Sequence, residues 1–153
     1  MSDPDRLRET LASARRVHVD ASVLALHLAG SRRFTPLTRA VLELLAGGRL
    51  QGSTSALTLY QLLVEAYRRG EAETAATAER YLTTIPGLDV IDVTPAIARQ
   101  ASQVRAQLGG SAERAVQIAT ALSQGAHLFL TQRSAFRRVA GMSVESLELF
   151  AAD

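Results

Sequence analysis

Val17-His18-Val19-Asp20-Ala21-Ser22-Val23-Leu24 is the stretch on which the reading of the fold turns. Valines at alternate positions make Val17 to Asp20 a strand that ends on an acid. Ser22 to Ala29 then reads as a helix, closed by Gly30, where the helix end calls for a left-handed residue. A strand passing directly into a helix is the first half of a unit whose next strand lies parallel to it.

The same alternation recurs on both sides. Upstream, Ser2-Asp3-Pro4-Asp5 combines a capping hydroxyl, a first-turn proline and acids that favour a helix N-terminus. Leu7, Leu11 and Ala14 follow on one face, so residues 1–16 form an N-terminal helical extension. Downstream, Pro36–Leu45 is an amphipathic helix stopped by Gly47-Gly48, Gln51–Ser55 a second strand, and Leu57–Arg69 a helix ending at Gly70. A helix over Glu71–Thr84 precedes strand Leu88–Val93. Helices over Thr94–Leu108 and Ala112–Ser123 precede strand His127–Leu130, a helical turn or two at Ser134–Arg138, and a final strand or mixed segment at Val144–Phe150. The expectation is α/β: one domain over residues 17–153, a three-layer sandwich with a central parallel sheet between helices.

The 153 residues are 47% apolar and 21% charged, values of a globular domain and not of a disordered chain. With no cysteine, disulfide scaffolds, thiolate zinc sites and cysteine nucleophiles are excluded. No apolar run reaches the ~18 residues of a membrane span. Met1–Arg16 lacks the apolar centre of a signal peptide, so a cytoplasmic protein without membrane contact is expected. Net charge is only +2, and all 17 basic residues are arginine. Codon bias in an alanine-rich chain accounts for missing lysine; only the placement of the arginines bears on nucleic-acid binding.

Ligand sites of open parallel sheets lie beyond the carboxyl ends of the strands. That directs attention to Asp20, to the helix starting at Leu57, and to Thr131-Gln132-Arg133. No glycine-rich phosphate loop, G-K-[ST] or G-x-S-x-G elbow occurs. His18, His27 and His127 lack metal-ligand spacing and read as packing or surface histidines.

Val19-Asp20-Ala21-Ser22-Val23-Leu24, Thr54-Ser55-Ala56-Leu57-Thr58-Leu59, Ile118-Ala119-Thr120-Ala121-Leu122, Gly125-Ala126 and Phe129-Leu130-Thr131 together resemble the PIN domain, especially VapC-type toxins. The resemblance spans roughly Val17–Val144, with its segments in the family's order. It implies a ribonuclease fold in which about four carboxylates at the strand ends hold Mg²⁺ or Mn²⁺, hard ions that need oxygen ligands and activate water for phosphodiester cleavage. Asp20 is the one family acid retained, with Ser22 where the family often has a small polar residue. Gln61 stands at the second acidic position, Arg114 at the third and Arg133 at the fourth.

One carboxylate, one neutral amide and two guanidinia oppose a dication, since even a unit like-charge pair at ~4 Å costs about 4 kcal/mol at an effective dielectric of 20. No metal is therefore expected, and the resemblance points to a pseudoenzyme of the toxin–antitoxin type that binds a partner or RNA. Glu65, one helical turn beyond Gln61, is the candidate substitute acid for an alternative, active Mg²⁺- or Mn²⁺-dependent endoribonuclease built on Asp20. Glu113, about 100° around its helix from Arg114, is expected to face elsewhere.

Two roles are open for the arginines. Arg114 or Arg133 would pair with Asp20 in place of a metal; or Arg114, Arg133, Arg137 and Arg138 would bind phosphate or nucleic acid, since guanidinium forks match phosphate. A basic pocket would repel a basic antitoxin side chain and suit an acidic or phosphate-bearing partner. The stripe Leu59, Leu62, Leu63, Ala66 and Tyr67 suggests a homodimer contact or, more plainly, core.

Overall fold

The structure is a computed structural model that describes residues 2–151. Helix α1 (Asp3–Ala12) is followed by β1 (Arg16–Val19), α2 (Ala21–Ala29), α3 (Thr35–Ala46), β2 (Gln51–Ser55), α4 (Leu57–Arg68), α5 (Ala72–Thr84) and β3 (Leu88–Ile91). Then come α6 (Pro95–Leu108), α7 (Ala112–Ser123), β4 (Leu128–Thr131), β5 (Arg138–Val139), β6 (Met142–Ser146) and a 3₁₀ turn at Leu147–Leu149.

The six strands lie in the order β3-β2-β1-β4-β6-β5. All neighbouring pairs are parallel except β5–β6, which is antiparallel. β1 is central, with His18 level with Ser53 of β2 on one side and Phe129 of β4 on the other. A strand flanked this way is buried on both faces, and its side chains alternate between two cores. Val17 and Val19 join Leu128 and Leu130 in the core that α1, α2 and α3 cover. Phe129 joins Ala115, Ile118 and Ala119 of α7 in the second core. The three-layer α/β architecture is as the sequence implies.

α1 is embedded in the first of these cores. Leu7 and Leu11 are fully buried among Leu37, Val41 and Phe150. Ser2 caps the helix by accepting from the Asp5 amide. Gly87, before β3, is held at φ 74°, and a Cβ there would run into the Leu45 carbonyl, so this crossing admits only glycine.

The chain departs from expectation after β4. Ser134–Arg138 forms no helical turn. Ser134 Oγ instead exchanges bonds with the Phe136 backbone, and Arg138–Val139 pairs with β6 as a hairpin. The cause lies in the turn: Ala140 and Gly141 take φ of 48° and 83°, the double left-handed turn that matches the twist of two antiparallel strands. The last strand accordingly begins at Met142 and ends at Ser146, earlier than the sequence alone indicates.

Candidate functional site

At the carboxyl end of β1 the backbone of Asp20 still belongs to the sheet, its amide donating to Leu130 O at 2.9 Å. The residue also opens α2, yet its side chain caps nothing. Asp20 Oδ2 accepts from Ser22 Oγ at 2.6 Å and from Thr131 Oγ1 at 2.9 Å. Ser22 Oγ in turn accepts from the Gln132 amide at 3.0 Å, tying the start of α2 to the end of β4.

Gln61 enters from α4, and its orientation is fixed from below. His18 is completely buried between the sheet and α7, stacked on Phe129 with ring centroids 5.3 Å apart. Its Nε2 faces Gln117 Oε1 at 2.7 Å, an oxygen that can only accept, so Nε2 carries the proton and Nδ1 accepts from Ser53 Oγ at 3.1 Å. Gln117 Nε2 then donates to Thr58 Oγ1 at 2.8 Å and to Gln61 Oε1 at 2.9 Å. Thr58 meets Thr54, which donates to Val19 O at 2.7 Å. Each buried side-chain polar atom of this relay, from Ser53 through His18 and Gln117 to Thr58 and Thr54, is partnered, as burial requires. The consequence for the site is specific: Gln61 spends its oxygen on Gln117 and keeps its NH₂ to donate.

The sequence alone presents His18 only as a packing or surface residue and does not reveal this relay. Two signals point to it. His18 sits between valines in a strand buried on both faces, and Gln117 lies three residues from Arg114 and four from Ala121, on the inner face of α7. Burial pushes His18 down to about 4, against the opposing pull of the Gln117 bond and the Asp20 charge, so the ring is neutral at pH 7.

Asp20, Ser22, Gln61, Ser111, Glu113 and Arg114 line one open cavity of about 300 Å³. Ser111 caps α7 by accepting from the Arg114 amide, placing Glu113 and Arg114 in the first turn. Glu113, expected to face away, lines this cavity. Glu65 turns outward to Arg68 at 2.8 Å and is not among the lining residues. A helical turn along α4 carries it away from the strand ends.

No Asp20–arginine ion pair forms among the described residues. Arg114 Nη2 donates to Arg133 O at 3.2 Å, and Arg133 Nε lies 3.4 Å from Glu148 Oε2 with its side chain 83% exposed. Each guanidinium meets a nearer acceptor, while two hydroxyls already serve Asp20. Arg138 Nη2 donates to Gly141 O within its own hairpin, and Arg137 is exposed. The four arginines do not converge on the cavity; Arg114 alone lines it.

The divalent ion that the resemblance implies finds a poor donor set here. Among the described residues no group of three or more His, Cys, Asp or Glu side chains is arranged to hold a metal. Asp20 is already hydrogen-bonded, Gln61 presents donors, and Arg114 shares the space; hard ions ask for converging oxygens. Chemically the cavity offers two carboxylates, an amide donor and a guanidinium, a mixed surface suited to polar binding.

The remaining predicted features fall elsewhere. His27 bonds Thr38 at 2.8 Å and stacks on Tyr81, and His127 bonds Ala14 O, each a packing role. Of the α4 stripe, Leu63 is buried and Leu59 and Leu62 pack on the core, whereas Tyr67 is exposed, as is Tyr60. No helix of the described residues is long and apolar enough to cross a membrane.

Comparison with known proteins agrees with this architecture. The Rickettsia felis VapBC2 structure, solved with a promoter DNA fragment, superposes with a TM-score of 0.67 at 14% identity, covering 86% of this chain and 98% of that one. A toxin–antitoxin complex from Klebsiella pneumoniae gives 0.61 at 19% identity, covering 86% and 97%. VapC20 of Mycobacterium tuberculosis, described as a toxin cleaving the sarcin–ricin loop, gives 0.58 at 20% identity, covering 74% and 86%. No curated protein matches the sequence. At these identities the solved structures establish the fold, and the family follows from the sequence model of the PIN domain, which matches residues 17–142: the chain belongs to the PIN domain family.

Proposed function

We propose that this chain is a VapC-like PIN protein that has lost metal-dependent ribonuclease activity and acts by binding, with a protein partner or a nucleic acid as its ligand. The observation that carries this reading is the presence of the Arg114 guanidinium and the Gln61 amide in the same cavity as Asp20. Two of the positions from which a PIN nuclease would direct carboxylates at a metal here direct hydrogen-bond donors. Donors of this kind complement carboxylate or phosphate. A cytoplasmic role beside an antitoxin-like partner, as in the toxin–antitoxin complexes of the structural relatives, belongs to the same proposal. So does a homodimer, for which the exposed Tyr60 and Tyr67 of α4 supply apolar surface.

The alternative is an active Mg²⁺- or Mn²⁺-dependent endoribonuclease on Asp20 with a substitute acid. Glu113 supports it better than Glu65, because Glu113 lines the cavity. One experiment separates the two. Purified protein is titrated with Mn²⁺ while thermal unfolding and cleavage of a structured RNA are followed. The binding reading expects no rise in Tm and no cleavage. Metal-dependent stabilisation with cleavage that Asp20→Ala abolishes would overturn it in favour of the nuclease, and Glu113→Ala would then test the second acid.

A further inference from the structure

The opposite end of the sheet carries a separate feature. Arg15, Arg16, Arg49 and His127 surround a cavity of about 580 Å³ together with Gly48 and the start of β2, and no carboxylate lines it. Arg16 opens β1 with Arg15 just before it, and Arg49 and His127 precede β2 and β4, the two neighbours of β1 in the sheet. With strands ~4.8 Å apart, the row extends over roughly 10 Å. Its backbone is firmly held: Arg15 O accepts from the Gln51 amide at 2.8 Å and Arg16 O from the His127 amide at 2.9 Å.

Three further observations bear on purpose. Arg15 adopts φ 57°, the left-handed region where glycine is favoured and a long side chain costs of order 1 kcal/mol or more. Arg15 and Arg49 make no side-chain hydrogen bond or ion pair among the described residues, whereas Arg114 and Arg133 at the other end are both engaged. Arg16 reaches only the Gln124 carbonyl, at 3.5 Å, and Asp89 lies with Arg16 in the adjoining hollow and not in this one.

We infer that the amino-terminal edge of the sheet, through Arg15, Arg16 and Arg49, is a second anion site that takes the phosphate backbone of single-stranded nucleic acid. Unpaired guanidinia on a rigid edge match phosphate oxygens with little ordering cost. A row of cations fits successive phosphates better than one small anion. Apart from His127, whose ring is held to the Ala14 carbonyl, no aromatic residue lines the row, so binding through it is insensitive to base sequence and steeply dependent on salt. The site is independent of the Asp20 cavity and stands whichever reading of that cavity holds.

The test follows a labelled 12-nucleotide single-stranded RNA by fluorescence anisotropy at several salt concentrations, with the intact chain. Arg15→Gly, which suits the left-handed backbone, combined with Arg49→Ala, is expected to weaken binding at least tenfold. The slope of log affinity against log salt should become shallower by about 0.7 for each phosphate that is no longer neutralised. A charge-matched control, Arg32→Ala with Arg99→Ala, is expected to change affinity less than threefold. Equal losses in control and edge variants would overturn the inference by reducing the effect to net charge. Unchanged affinity and slope in the edge variant would overturn it directly. Inorganic phosphate or pyrophosphate displacing the RNA at micromolar concentration would also overturn it, assigning the edge to a small anion. Loss on Arg114→Ala alone would return nucleic-acid binding to the cavity.

Discussion

The two ends of the sheet use arginine in opposite ways. At the carboxyl end Arg114 is tied to the Arg133 carbonyl and Arg133 to Glu148, so each guanidinium is spent within the protein. At the amino end Arg15 and Arg49 engage no side-chain partner among the described residues and stand over a hollow without an acid. An arginine spent on internal acceptors holds the protein's own chain together, while an unpaired arginine at an edge remains available to a ligand. Net charge registers neither, because it counts the two kinds alike.

The largest effect is expected from converting one end back towards the chemistry of its fold. Gln61→Glu with Arg114→Asp would give the cavity four carboxylates, counting Asp20 and Glu113. Mn²⁺ binding should then rise from undetectable to measurable by calorimetry, with Tm increasing as metal is added. Failure of the double variant to bind Mn²⁺ would show that the backbone at this end, and not only its side chains, has left the metal geometry.

Beneath that end, the buried relay sets the next scale. His18→Leu leaves Gln117 Oε1 and Ser53 Oγ without partners in a dry interior and is expected to cost about 2–4 kcal/mol in denaturant unfolding. His18→Leu with Gln117→Leu should recover part of that loss, because the neutral pair is removed together. A double variant no more stable than the single would break the claim that these residues act as one network.

The same histidine imposes a pH dependence. Its folded pKa, about 4, lies below the ordinary value of 6.5, so the unfolded chain binds the proton first as pH falls. Above pH ~6.5 His18 makes no difference; between 6.5 and 4 stability should decline by on the order of 3 kcal/mol, and His18→Leu should flatten that decline. The smallest effect is reserved for the exposed Arg133–Glu148 pair. Arg133→Ala should change stability by less than about 1 kcal/mol, as measured by Tm. A larger loss would make this pair a structural clamp on the carboxyl-end loop.

Much of the fold is legible in local pattern. Alternating valines around His18, the capping hydroxyls of Ser2, Thr94 and Ser111, and the glycines closing α2 and α6 mark elements that the structure contains. The hairpin after β4 is not legible in this way. Phe136, Arg137 and Arg138 have no strong local preference, and pairing with β6 sets their conformation. For the site, the resemblance to the PIN domain directs attention to Asp20, Gln61, Arg114 and Arg133, but does not say which of them share a cavity.

Membership of the PIN domain family is written in the chain itself, since residue types and spacings belong to it before it folds. Packing alone settles that Glu113 and not Glu65 lies beside Asp20, that Gln117 leaves Gln61 as a donor, and that Arg133 turns to Glu148. Those outcomes depend on which acceptor lies nearest once the elements have come together. A hydrogen bond is chosen over a few ångströms, a distance set by residues far apart in the chain.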